Sequence, residues 1–406
     1  MRALNRSLYV AACWLLVGLA TAHAQNAVTQ WSAIAERTVA ASRSPASSEV
    51  LLGVVHAAMY DAVVAVEGHY TPVASAPAVD APASGAVAAA TAAYSVLKSL
   101  VPAQASALTD AYAGWIAQVP ESEQKGNGVR VGARVAAQYV AWREGDGFAD
   151  ELAYKQPAAA AGMWEPTAPP PASPVDYKLG HVKPLVLTSA SQFRPHGPPA
   201  LTSLDYLRDV TEVKRVGGKV SSVRTAAQTE TAQFWSEHTA VQWSRTLRNL
   251  AIERGLDLRE TARMLAMVHV AAADAMIACF DAKYHFMRWR PVHAIQRSEL
   301  SGEAIADRDW QPLLNVNHPE YPSAHGCWTA AVTTALKAYF GTDDVPFTME
   351  STVTKTTRRY SHLSDALSEV VDARIYSGLH YRSSMMDGAR LGQSVATYVV
   401  QRKFGA

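Results

Sequence analysis

Cations, histidines and helix-start signals cluster in three short stretches of the chain's last third, at spacings suited to gripping a tetrahedral oxyanion. The first reads Lys283-Tyr284-His285-Phe286-Met287-Arg288-Trp289-Arg290-Pro291. Lys283 and Arg290 are seven apart, almost two whole turns, so on a continuous helix both cations share a face. Pro291 limits how far such a helix continues. Two cations at this spacing usually mark a solvated face. The segment 273–286 is too apolar for that, and cations in apolar surroundings need an anionic partner.

The second stretch, His318-Pro319-Glu320-Tyr321-Pro322-Ser323-Ala324-His325-Gly326, opens a run that reads as helix to Phe340, with Gly341 as its stop. Serine after proline at a helix start is most often only an N-cap. The same geometry presents free backbone N–H groups to an anion, and Ser323 adds its hydroxyl. His325 falls in the first turn, within reach of proton exchange with a bound group. The third stretch is Ala373-Arg374-Ile375-Tyr376-Ser377-Gly378-Leu379-His380-Tyr381-Arg382. Arg374 and His380, six apart, fall on different faces of a regular helix. They converge only if the chain bends between them, and Ser377-Gly378 offers the bend.

The elements that must position these stretches read as helices. Alanine is abundant and runs of Val, Ile and Thr are scarce. Over 49–66 the residues Leu52, Val55, Met59, Val63 and Val66 recur at helical spacing, and 86–100 and 132–142 look similar. From 156 to 199 the text turns irregular, with Pro169, Pro170, Pro171, Pro174, Pro195, Pro198 and Pro199. Helices resume near residue 203, with strong ones predicted at 258–280, 326–340 and 363–374. No internal repeat is evident. The expectation is an all-α helical bundle: an N-terminal helical region at 25–155, a proline-rich crossover at 156–202, and core helices at 203–406.

Several other classes are excluded. Gly126, Gly128 and Gly132 mimic a dinucleotide loop, but the third glycine is one residue late and the polar 121–125 is no buried strand. No H-E-x-x-H and no G-x-S-x-G occurs. Residues 1–24 read as a secretory leader: Arg2 and Arg6, an apolar stretch from Leu8 to Ala20, then Ala22-His23-Ala24. No later segment reads as apolar for the length of a membrane span; 265–280 is interrupted by His269 and Asp274. The expected location is therefore periplasmic or secreted. Without the leader the chain carries 35 basic against 36 acidic residues, a balance unsuited to nucleic acid. Cys279 and Cys327 remain, both in apolar stretches, and read as small buried hydrophobes whose pairing is undecided.

Together the three stretches resemble the vanadium-dependent haloperoxidase and type-2 phosphatidic-acid phosphatase superfamily, whose signature is K-x6-R-P, P-S-G-H and S-R-x5-H-x3-D. The matches are Lys283/Arg290/Pro291, Pro322/Ser323/Ala324/His325 and Arg374/His380, within about the last 125 residues. Looser similarity to bacterial haloperoxidase-like members covers His56 to Ala62, Gln192 to Pro195 and His269 to Asp274. The resemblance implies that Lys283, Arg290 and Arg374 hold the equatorial oxygens of vanadate or phosphate. Ser323 and the N–H of Ala324 would donate to it, His380 would be the axial ligand or phosphate-accepting nucleophile, and His325 the acid–base group. Phe280 and His318 would line the halide side, a histidine there pointing to bromide.

Three positions depart from the signature: Ala324 replaces its glycine, Ala373 its serine, and Ser384 the aspartate that orients the histidine. Asp387, one turn beyond Ser384, is the substitute the sequence offers. The leading expectation is a vanadate-dependent haloperoxidase using hydrogen peroxide, halide and a small organic acceptor, with Lys283 polarising peroxide. The alternatives are a soluble phosphatase working through phospho-His380, and a non-catalytic anion binder. His285, His293 and His362 read as structural or surface residues.

Overall fold

The computed structural model describes residues 26–167, 173–297 and 306–405; the expected leader at 1–24 and Pro169 to Pro171 lie outside them. Two long helices form its centre. Helix α2 (Pro45–Glu67) is capped by Ser44 and has proline at its start. Helix α9 (Leu258–Phe286) is capped by Asp257, whose side chain accepts from Glu260 N–H at 2.8 Å. They pack so closely that a Cβ on Gly53 would stand 2.6 Å from that of Ala273. Around α2 lie α1 (Ala27–Ala40), α3 (Gly85–Leu100) and α5 (Glu123–Arg143), with α4 (Ala105–Ile116) packed against α3. After the crossover come α6 (Leu204–Gly217), α7 (Ala226–Phe234) and α8 (Thr239–Glu253). Beyond α9 the chain forms the short α10 (Pro291–Gln296), then α11 (Ala324–Phe340), α12 (Leu363–Tyr376) and α13 (Arg382–Lys403). The fold is a mostly helical bundle, as composition implied.

One expectation needs correction. Helices α2 and α9 are long and apolar enough to cross a membrane, and so is the bent pair α3–α4. Their central place explains it: 89% and 94% of the most apolar stretches of α2 and α9 are buried inside the protein. A helix enclosed on every side is apolar all round without meeting lipid. The chain also contains a hairpin, β1 (Phe347–Ser351) and β2 (Thr356–Tyr360), pairing Phe347 with Tyr360 and Ser351 with Thr356. Phe347, Met349 and Ser351 are buried in alternation, and the Phe347 and Tyr360 rings stack at 5.0 Å. Five residues are too few for that period to stand out among helical patterns.

The outlying similar stretches turn out to be clamps. His56 on α2 stacks on His269 of α9 with ring centroids 4.0 Å apart. Five residues after His56, the buried Asp61 accepts the N–H groups of Val73, Ala74 and Ser75 and the hydroxyl of Tyr139. Five residues after His269, the buried Asp274 accepts those of Leu185, Val186 and Leu187 at 2.6–2.8 Å. The two central helices therefore share a His-x4-Asp motif in which each aspartate pins a loop. Arg194 adds a two-pronged ion pair to Asp281 of α9, both contacts at 2.8 Å. The irregular crossover is thus fixed to α9 just upstream of Lys283.

Candidate active site

Each of the three stretches sits where a helix starts or stops. Helix α9 ends at Met287, which adopts a left-handed conformation (φ 49°). Lys283 and Arg290 therefore do not lie on one helix face, contrary to the heptad reading. Lys283 occupies the last turn of α9, whereas Arg290 ends an extended link and caps α10. The crossover holds that link open: Trp164 N–H donates to Met287 O at 2.6 Å, and Trp289 N–H to Gly162 O at 2.9 Å. Ser323 caps α11, so Ala324 is its first helical residue. Arg374 lies in the last turn of α12, and the chain turns at Gly378 (φ 75°) before reaching His380 ahead of α13. The bend expected at Ser377-Gly378 is present. Helices α11 and α13 approach so closely that a Cβ on Gly388 would lie 2.6 Å from Ser323 O.

Burial decides the electrostatics. Lys283, Arg290 and Arg374 are 0%, 2% and 3% exposed. Lys283 donates to the carbonyls of Pro319 and Glu320 at 2.9 and 3.0 Å. Arg290 donates to those of His318, Leu379 and Pro319 at 2.9, 2.8 and 3.2 Å, and it meets His380 Nε2 at 3.2 Å and His318 Nδ1 at 2.9 Å. Arg374 donates to Trp235 O at 3.1 Å, and its Nε has no protein partner. Desolvation lowers Lys283 to about 8, Arg290 to about 10 and Arg374 to about 9, the Arg290 charge adding to the effect on the other two. Three cations buried mainly against neutral groups form a site that an anion completes.

Glu320 is the residue that sequence reasoning missed. Its Oε1 accepts from His380 Nδ1 at 2.7 Å and from Tyr381 N–H at 3.1 Å, and it is fully buried. With Nδ1–H committed to this carboxylate, the lone pair of Nε2 faces Arg290 and the other cations. Burial pushes Glu320 up to about 7, against the pull of Arg290 and Lys283. Burial, then the charges of Arg290, Lys283 and Arg374, hold His380 well below the usual histidine value, so its imidazole is neutral. Asp387 does not take the orienting role: its carboxylate is engaged by the Tyr321 hydroxyl at 2.6 Å and by Arg390. Ser384 instead ties α13 to the second stretch, accepting Ser323 N–H at 3.2 Å and placing its hydroxyl 3.4 Å from Glu320 O. A signal was present, for Glu320 is the only acid in the three stretches.

A cavity of about 570 Å³ opens onto this centre, lined by His380, Arg374, Ala324 and His325 at the chemical end. His325 Nε2 lies 3.3 Å from the Thr239 hydroxyl. Burial, then Arg374, keep its pKa well below the usual value. Phe280 and His318 line the same cavity with ring centroids 5.5 Å apart. Ser44, Asp176 and His238 also contribute to the wall, so the α2 start and the crossover help to build it. None of the three had a sequence signal. His285 and His362 are exposed and His293 is half-buried, all three outside the cavity lining. Among the described residues no His, Cys, Asp and Glu group suits a bare metal ion. The donors suit an oxyanion, with one histidine nitrogen turned toward the cations.

Residues 263–404 match the family model described as the VCPO second helical-bundle domain. That match covers about a third of the chain, and the likeness to solved structures extends to the fold of nearly its whole length. It resembles the solved structure of a bacterial vanadium-dependent iodoperoxidase, described as the first of its kind, with TM-score 0.78 and 24% identity over 92% of this chain and 94% of that one. A bacterial vanadium-dependent chloroperoxidase in its holo form is similar at TM-score 0.71 and 17% identity, over 88% of this chain and 93% of that one. Its apo form is similar at TM-score 0.68 and 17% identity, over 87% and 92%. No curated protein matches the sequence.

Proposed function

We propose that this protein is an exported, periplasmic or secreted, vanadate-dependent haloperoxidase that oxidises halide, bromide by preference, with hydrogen peroxide. The observation that carries the reading is the burial of Lys283, Arg290 and Arg374 around the Nε2 of a neutral His380. The donor set fits vanadate: three cations for its oxygens, Ser323 and the Ala324 N–H at a helix start, and His380 Nε2 as ligand. Bound vanadate supplies a Lewis-acidic centre that activates peroxide for two-electron transfer from halide.

The protein's own groups do the rest. Glu320 fixes the His380 tautomer and raises the basicity of Nε2. Lys283, charged below about pH 8 and buried, polarises the oxygen atoms it holds. His325, neutral and facing the cavity, takes a proton from the incoming peroxide and returns one to the leaving oxygen. Phe280 and His318 form the wall against which the halide approaches. The cavity is large enough for a small organic acceptor beside the halide.

The test uses purified protein freed of anion and resupplied with orthovanadate. Dye bromination with peroxide and bromide is assayed beside p-nitrophenyl phosphate hydrolysis without vanadate. Vanadate-dependent bromination lost in His380→Ala is the expected result. Hydrolysis inhibited by vanadate, without bromination, would assign the same Nε2 to phosphoryl transfer. Silence in both assays would leave an anion-binding protein.

A further inference from the structure

Two thiols that play no part in the cradle lie directly beneath it. Cys279 is on α9, four residues before Lys283 and so on the same face. Cys327 is on α11, four residues after Ser323, to whose carbonyl its N–H donates at 3.0 Å. Their sulphurs are in contact at 2.8 Å, both residues are fully buried, and Cys279 Sγ lies 3.7 Å from Pro322 O. The link 319–323, whose first two carbonyls hold Lys283, thus rests between two helices that meet sulphur to sulphur.

We propose that Cys279 and Cys327 are a redox pair that hydrogen peroxide converts to a disulfide, fastening the lysine-bearing helix to the helix start that receives the anion. One thiol releases its proton and its sulphur attacks peroxide, breaking the O–O bond to give a sulfenic acid and hydroxide, which takes up that proton to become water. The second thiol then attacks that sulphur, forming the S–S bond and releasing a second water. Peroxide is reduced by two electrons and the thiols together supply them. A lone buried thiol would stop at the sulfenic acid. A second sulphur already in contact resolves it. Burial pushes the Cys327 thiol up, so its reaction with peroxide is slow. The bridge joins segments 48 residues apart, as counted between the two sulphurs' positions, and fixes the spacing of Lys283 and the Ser323–Ala324 donors. The oxidised form is therefore the better-organised anion site. This coupling rests on the cradle binding an oxyanion, not on haloperoxidase turnover.

The experiment takes the full chain, reduced and freed of reductant, and incubates it with peroxide without halide or vanadate. Peptide mapping should recover a peptide pair joined through Cys279 and Cys327, lighter by two hydrogen atoms than the reduced pair. Melting temperature should rise by roughly 2–5 °C. Orthovanadate, followed by equilibrium dialysis, should bind the oxidised form about fivefold or more tightly than the reduced form. Cys327→Ser should show neither change with peroxide. Unlinked, fully alkylatable thiols after prolonged exposure would overturn the pair. Linked peptides with equal orthovanadate affinity would overturn the coupling, and so would binding by neither form. Wild-type protein that links and tightens but brominates nothing supports this inference while refuting the haloperoxidase reading.

Discussion

Replacing Glu320 with glutamine separates two effects that act in opposite directions on a bound anion. The carboxylate lies 2.7 Å from His380 Nδ1, and so one imidazole away from whatever Nε2 meets. Across about 6–7 Å at an effective dielectric of 20, a unit like charge costs a bound anion roughly 2–3 kcal/mol. Glu320→Gln removes that repulsion, which should strengthen every anion. The same substitution lowers the basicity of Nε2, and losing such an outer partner typically weakens a histidine–metal bond about 10–100-fold. Phosphate in its ground state makes no bond to Nε2, whereas vanadate does. Phosphate affinity should therefore hold or rise in the variant, and the vanadate-to-phosphate affinity ratio should fall about 10–100-fold. Glutamine keeps an oxygen for Tyr381 N–H but places its amide where Oε2 has no partner, costing about 1–3 kcal/mol. A thermal melt must first show that the variant is folded. Equilibrium dialysis of both anions then gives the ratio. A ratio unchanged from wild type would refute the assignment, leaving Glu320 as a structural countercharge.

Three further outcomes are expected. Arg290→Lys replaces a five-contact fork by an ammonium with three donors, and should weaken orthovanadate about 100-fold; a loss below about tenfold would contradict the role given to the fork. Lys283 is lowered to about 8, so its charge is present below that pH and fades as pH rises through it. Orthophosphate binding should then require proton uptake above pH 8 and weaken roughly tenfold per unit, a slope that Lys283→Met removes; a slope that persists in the variant refutes the attribution. Asp274→Ala strips the acceptor from three N–H groups at 185–187, and should cost about 3 kcal/mol or more in urea unfolding; a cost below about 1 kcal/mol would show that the crossover is held elsewhere.

The site was legible where chemistry forced a residue type and obscure where only geometry mattered. Lys283, Arg290, Ser323, Arg374 and His380 stood out because the three stretches, each weak alone, together resemble one three-part signature. The helical class followed from composition and periodicity. The placement of Arg290 was misread because nothing in Phe286-Met287-Arg288 announces a left-handed residue, and a non-glycine residue adopts that conformation only when tertiary contacts hold it. Here the contacts come from Gly162 and Trp164, more than 120 residues away in sequence. Glu320 was passed over because spacing along α13 directed attention to Ser384 and Asp387, whereas His380 turns its Nδ1 toward the loop before α11. The cavity wall from Ser44, Asp176 and His238 had no local signature, since it arises only when the N-terminal helices dock.

The two central helices show how the fold confines its chemistry to one half. His56 is the twelfth residue of α2 and His269 the twelfth of α9, and each is followed five residues later by a loop-pinning aspartate. Up to that point the two helices do the same structural work, and their histidines meet face to face. Helix α2 then stops at Glu67, whereas α9 continues to Phe286, twelve residues beyond Asp274. The added residues, 281–286, carry Lys283. They are also where Arg194 grips Asp281 from the crossover. The added turns need bracing because they bury a cation with no carboxylate hydrogen-bonded to it. The first bundle, with no such extension, supplies cavity wall and support. On this argument, shortening α9 by its last two turns would remove the anion site and leave the paired His–Asp motifs, with the loops they pin, intact.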